Sequence, residues 1–128
     1  MERPTITTAT LELRLHADGM LRCLALPGRV QSIEDARENV AALIRLTGGK
    51  RVPMLLDIRD AGTLSRDARE YYAGYETAKS ITGLAFITDS AFSRVVANFF
   101  IRLAKTRYPI RLFEDQEAAV DWLSGLSS

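Results

Sequence analysis

Three clusters of carboxylate and hydroxyl side chains close apolar runs in this chain: Asp57-Ile58-Arg59-Asp60, Thr88-Asp89-Ser90 and Glu114-Asp115. Carboxylates gathered at neighbouring strand ends could hold Mg²⁺, and a strand-end aspartate such as Asp57 could accept a phosphoryl group. The same positions have a simpler use. Asp89 and Asp115 stand where helices can begin, so their oxygens can cap free backbone N–H groups, and Asp57 can satisfy the N–H groups of its own loop. The simpler use is the expectation. Asp57, Asp60, Thr88 and Asp89 form a candidate acidic rim, with no metal and no cofactor assigned to it.

Nucleophilic chemistry has less to work with. The chain has one histidine, His16, and one cysteine, Cys23. Cys23 lies in the alternating segment Met20-Leu21-Arg22-Cys23-Leu24-Ala25-Leu26, which predicts a buried, inert thiol. His16 sits beside a turn, and no Ser–His–Asp order suggests itself. There is no Gly-x-Ser-x-Gly elbow, no Gly-x-Gly-x-x-Gly and no Walker-type loop, and Gly48-Gly49 precedes a strand instead of following one. No catalytic residue is expected, and the chain reads as a non-enzyme. Ser65, or Thr63, is in place to cap a helix.

These residues need a frame. Thr8 to His16 alternates, with Leu11, Leu13 and Leu15 on one side and Glu12 and Arg14 on the other. Ala17-Asp18-Gly19 supplies a turn, and Met20 to Leu26 returns, which predicts a hairpin. Ser32 and Asp35 form a capping-box pair that opens a helix with Ile33, Ala36, Arg37, Val40, Ala41 and Ile44 on its inner stripe, stopped by Gly48-Gly49. Val52 to Ile58 and Gly83 to Thr88 are nearly continuous apolar runs, the pattern of strands covered on both faces. Pro53 lacks an N–H and belongs at a strand's start. Between these runs, one helix is expected from Ser65 to about Lys79, with Ala68, Tyr71, Tyr72 and Tyr75 inward. A third helix follows Asp89-Ser90, with the stripe Phe92, Val95, Val96, Phe99, Phe100 and Leu103. Pro109 to Phe113 is the last strand, and Asp115 caps a last helix with Ala119, Trp122, Leu123 and Leu126 inward.

The order β-β-α-β-α-β-α-β-α predicts an α/β fold: a mixed five-stranded sheet, an N-terminal hairpin followed by βαβαβα, with helices packed on it. Tyr71 and Tyr72 point about 100° apart on a helix, as do Phe99 and Phe100, so each pair widens its apolar stripe. With Tyr75 they form a candidate interface, expected to serve a homodimer or, alternatively, a small apolar ligand.

Composition agrees with this frame. The 128 residues suit a single domain over 1–128. Lys and Arg number 17 against 16 Asp and Glu, for a net charge of +1, with 47% hydrophobic residues. That balance excludes a disordered tail and leaves no electrostatic footprint for nucleic acid. The charge is uneven: Arg94, Arg102, Lys105, Arg107 and Arg111 precede Glu114, Asp115, Glu117 and Asp121. One cysteine excludes a disulfide framework. No apolar stretch approaches the roughly 20 residues that span a bilayer, so no membrane insertion is expected. Without a signal-peptide pattern, the expected location is cytoplasmic.

Four phrases carry a family likeness: Pro53-Met54-Leu55-Leu56-Asp57-Ile58-Arg59, Leu64-Ser65-Arg66-Asp67-Ala68-Arg69-Glu70-Tyr71, Ala97-Asn98-Phe99-Phe100, and Pro109-Ile110-Arg111-Leu112-Phe113-Glu114-Asp115 followed by Ala118-Ala119-Val120-Asp121-Trp122-Leu123. With the order of elements, the chain resembles the STAS-like (SpoIIAA-like) fold of anti-sigma-factor antagonists, and more closely a group of small bacterial STAS-like or Sec14-like proteins. The resemblance implies a non-enzymatic regulatory domain that works through a protein partner. In antagonists a serine after the central strand, at a helix start, is phosphorylated by a partner kinase. Ser65 occupies about that place and Thr63 lies nearby, which makes both candidate phospho-sites by resemblance. The antagonist signature Asp-Ser-x-Gly-Leu-Gly is replaced here by Ser65-Arg66-Asp67-Ala68.

Overall fold

The computed structural model describes residues 4–89, 91, 94, 95, 98, 102 and 107–126. Six strands form one sheet: β1 (Thr5–Thr7), β2 (Leu11–Leu15), β3 (Leu21–Ala25), β4 (Val52–Asp57), β5 (Ile81–Ile87) and β6 (Ile110–Phe113). They lie side by side in chain order. β1, β2 and β3 pair antiparallel, and β3 through β6 pair parallel. Among the described residues, four continuous helices accompany them: α1 (Ile33–Thr47), α2 (Arg66–Tyr72), α3 (Tyr75–Ala78) and α4 (Gln116–Ser124). Ala91, Arg94, Val95, Asn98 and Arg102 also have helical backbone.

Local chemistry explains the boundaries. At the β2–β3 turn Gly19 takes φ 85°, and the Asp18 carboxylate accepts from the Met20 N–H at 3.0 Å. Ser32 and Asp35 close a reciprocal capping box on α1, and Gly48, at φ 65°, ends that helix in the left-handed region. The β4–β5 register slips between Val52 and Pro53, the point where a missing N–H costs least. Asp115 caps α4 through the Glu117 and Ala118 N–H groups.

Strand alternation sorts the core into two layers. Leu11, Leu13, Leu21, Cys23, Met54, Leu84 and Phe86 share one cluster with Ala42 and Leu43 of α1. Leu55, Ala85 and Ile87 point the other way and meet Ala119 and Leu123 of α4. The interior strand β5, between β4 and β6, is buried along its whole length, as its uninterrupted apolar run requires.

Several expectations need correction. The sheet has six strands, not five, because Thr5–Thr7 pairs with Glu12–Arg14. The helix expected from Ser65 to Lys79 is two helices, broken at Ala73-Gly74, where Gly74 is extended (φ −90°, ψ −170°). Tyr75 is therefore not on an inner stripe: it starts α3 and is 67% exposed. On α1 the buried positions are Ala36, Asn39, Val40, Ala42, Leu43 and Thr47, while Arg37 and Ala41 face outward. Val95 is also exposed rather than inward. Ser90, Phe92, Val96, Phe99, Phe100 and Leu103 lie outside the described residues.

Candidate functional site

The side chains of α1, α2 and α3 do not fill the space above their face of the sheet. A cavity of about 90 Å³ remains, several times the room that one water needs and of the same order as the engineered apolar cavity of about 150 Å³ that takes up benzene. Its walls are mostly aliphatic and aromatic: Leu13, Leu43, Met54, Leu84 and Phe86 among them. Leu56, Ala61, Gly62, Leu64 and Tyr72 are the wall residues that keep partial exposure, which places the mouth beside the loop after β4.

Polar side chains enter this wall as one connected group. Asn39, 2% exposed in the middle of α1, donates to Thr10 Oγ1 at 2.9 Å and to the Tyr72 hydroxyl at 2.9 Å, with Gln31 Oε1 at 3.3 Å. Its carbonyl oxygen accepts from the Thr8 hydroxyl at 2.5 Å. The Tyr72 hydroxyl in turn donates to Gln31 Oε1, and the Tyr108 hydroxyl donates to the Tyr72 carbonyl at 2.7 Å. Burial pushes both phenols far up from their ordinary range, so they stay protonated donors.

Two backbone segments hold the mouth together. Pro27 bridges Ala61 and Gln31 bridges Leu64. Gly28 N–H donates to Asp60, Gln31 N–H to Thr63 and Ser65 N–H to Gln31, each at 2.9 Å. Gly62 makes this approach possible, because a Cβ there would stand 2.4 Å from the Arg29 carbonyl oxygen.

The acidic rim has a different character. Arg59 grips Asp57 with Nη2–Oδ2 at 2.6 Å and Nε at 3.0 and 3.2 Å from the two oxygens, and its N–H reaches Oδ1 at 3.1 Å. Burial alone would raise the Asp57 carboxyl, but these hydrogen bonds and the guanidinium charge outweigh it and lower it. The hydrogen bond to Asp57 and its charge, followed by the charges of Asp89 and Asp60, raise Arg59 in return, so all three aspartates act on one cation. Thr88, the residue just after β5, is buried at 1% exposure rather than presented to solvent on the rim. Among the described residues, no three His, Cys, Asp or Glu side chains come together as a metal-holding group.

Ser65 is the N-cap of α2: its hydroxyl accepts from Ala68 N–H at 3.2 Å and donates to Asp67 Oδ1 at 2.6 Å. Thr63 is exposed on the mouth loop. Tyr71 is partly buried, Tyr72 belongs to the cavity wall, and exposed Tyr75 lies under the Lys79 ammonium, 5.4 Å from its ring centre. The tyrosines thus divide among three environments. Cys23 is buried, and burial raises its thiol far from the thiolate range. An aromatic disulfide reagent is expected to leave it untouched in the native protein and to react at the rate of unfolding. Rapid stoichiometric reaction in native buffer would contradict that burial.

Sequence reading missed Gln31, Asn39 and Tyr108. The signal for Asn39 was present: Ala36, Asn39, Val40, Leu43 and Thr47 follow helical spacing, and an amide on such a stripe demands partners.

Among known proteins, a family model described as a domain of unknown function (DUF7793) matches residues 13–127. No curated protein matches the chain. A solved structure of an uncharacterized protein from the DUF3478 family, with a SpoIIAA-like fold, from Shewanella loihica PV-4 is similar at 21% identity and a TM-score of 0.64. The match covers 92% of this chain and 98% of that one. The fold is SpoIIAA-like, a mixed α/β sheet carrying helices. No helix among the described residues is long and apolar enough to cross a membrane.

Proposed function

The chain belongs to the DUF7793 family, and for this member we propose a regulatory domain without catalytic activity that binds a small, largely apolar molecule between the sheet and α1–α3. The cavity of about 90 Å³ carries this reading. Protein interiors pack with few voids larger than a water. At about 24 cal/mol per Å³, leaving such a space open costs on the order of 2 kcal/mol, a sizeable part of a stability of roughly 5–15 kcal/mol. An apolar chamber with a few convergent polar groups is the usual form of a small-molecule site. The absence of catalysis is supported by Asp57, whose carboxylate is already held by Arg59, and by the buried thiol of Cys23. That free thiol also suits a reducing, cytoplasmic compartment.

Saturating toluene is expected to raise the thermal midpoint of the wild-type protein by about 3 °C. Leu43→Phe, which fills the chamber from α1, is expected to raise the midpoint of the unliganded protein and to cancel the toluene gain. A wild-type midpoint that ignores toluene overturns the reading.

A second reading, an interaction module that pairs with itself or another protein, is favoured by Tyr75, 67% exposed at the start of α3. Sedimentation at tens of micromolar is expected to show a dimer, and Tyr75→Lys a monomer. A clean wild-type monomer removes self-association.

A further inference from the structure

Resting on the binding reading above, we infer that the ligand carries a neutral oxygen group, a hydroxyl or carbonyl, and that Thr77 of α3 is its hydrogen-bonding partner. Thr77 is 6% exposed, lines the cavity, and its hydroxyl has no hydrogen-bond partner. Buried hydroxyls in helices ordinarily satisfy themselves on the preceding turn. Thr47 does so on the Leu43 carbonyl at 3.0 Å, and Ser80, in the turn just after α3, bonds back in the same way to the Glu76 carbonyl at 2.7 Å. Thr77 departs from that habit at the one place where the neighbouring space is the cavity. Thr82 also has an unpaired buried hydroxyl, but it is not part of the cavity wall.

The side-chain oxygens of the other polar wall residues and the Asn39 amide nitrogen are already engaged. Tyr72 O–H goes to Gln31, the Asn39 N–H groups to Thr10 and Tyr72, and Tyr108 O–H to the Tyr72 carbonyl. Thr77 is left with both a donor and an acceptor to offer, which a ligand hydroxyl or carbonyl matches. The described wall residues are all uncharged, so an ionised carboxylate would lose its hydration without gaining a counter-charge there. The ligand class is a compact alcohol, ketone or ester, not a fatty-acid anion.

Three probes at pH 8 test this with the full-length protein: toluene, 1-octanol and octanoate, followed by side-chain methyl NMR of the cavity wall. Octanol is expected to bind at least tenfold more tightly than octanoate. Thr77→Val is expected to lose fivefold to tenfold in octanol affinity while keeping its toluene affinity, and Thr77→Ser is expected to restore octanol binding. Equal or tighter binding of octanoate, or an octanol affinity unmoved by Thr77→Val, overturns the inference while toluene binding leaves the cavity reading intact. If toluene itself moves no wall methyl in the wild-type protein, the binding reading fails and this inference fails with it.

Discussion

Asn39→Leu is expected to destabilise the protein by about 3 kcal/mol, although the replacement is of similar size and more apolar. The amide joins Thr8, Thr10, Gln31 and Tyr72 across three separate stretches of chain. Removing it leaves the nearly buried Thr10 and Gln31 with unmet hydrogen-bonding capacity, and each such group costs roughly 1–3 kcal/mol. The Tyr72–Gln31 bond survives, which keeps the total below a simple sum. A urea titration should show a lower midpoint with an unchanged slope. A loss under about 1 kcal/mol would mean that the cluster contributes little. Asn39→Asp adds a pH signature. Burial would raise the new carboxyl above its unfolded value of about 4, so its neutral form is the one the native state accepts. The variant should come nearest to wild-type stability below about pH 4 and fall behind as pH rises through the raised native pKa.

Gly62→Ala should cost about 2–3 kcal/mol for a single added methyl. The new Cβ would lie 2.4 Å from the Arg29 carbonyl oxygen and 2.7 Å from its carbon. Both are backbone atoms, held in place by the Gly28–Asp60, Gln31–Thr63 and Ser65–Gln31 hydrogen bonds. Relief requires parting the two segments, which would carry Gln31 away from Asn39 and Tyr72. The variant should therefore lose both thermal stability and toluene affinity. A wild-type midpoint for Gly62→Ala would show that the two segments do not approach this closely.

How much of this was legible depended on whether a residue's role is local. The hairpin was readable because Leu11, Leu13 and Leu15 alternate with Glu12 and Arg14 and Gly19 marks the turn. β4 and β5 were readable as unbroken apolar runs, and Ser32, Ser65 and Asp115 as caps, since each satisfies N–H groups within three residues. β1 escaped because three residues are too few for a period to declare itself. The break between α2 and α3 escaped because Gly74 is tolerated inside many helices. On α1, helical spacing from Ile33 puts Arg37 and Ala41 on the inner stripe, whereas the fold buries Asn39 and Leu43 there, and the polar cluster hangs on Asn39. The cavity is a gap left between side chains from nearly every element of that face, and no stretch of sequence spells out a gap.

The chain-order arrangement of the strands bears on how the protein is made. Each strand pairs with the one synthesised just before it, and no later strand must be threaded between two earlier ones. The longest segment that any pairing has to close is 26–51, which contains α1. Loop-closure entropy grows only slowly with such lengths. The sheet can therefore extend one edge at a time as the chain leaves the ribosome, with each completed strand serving as the template for the next.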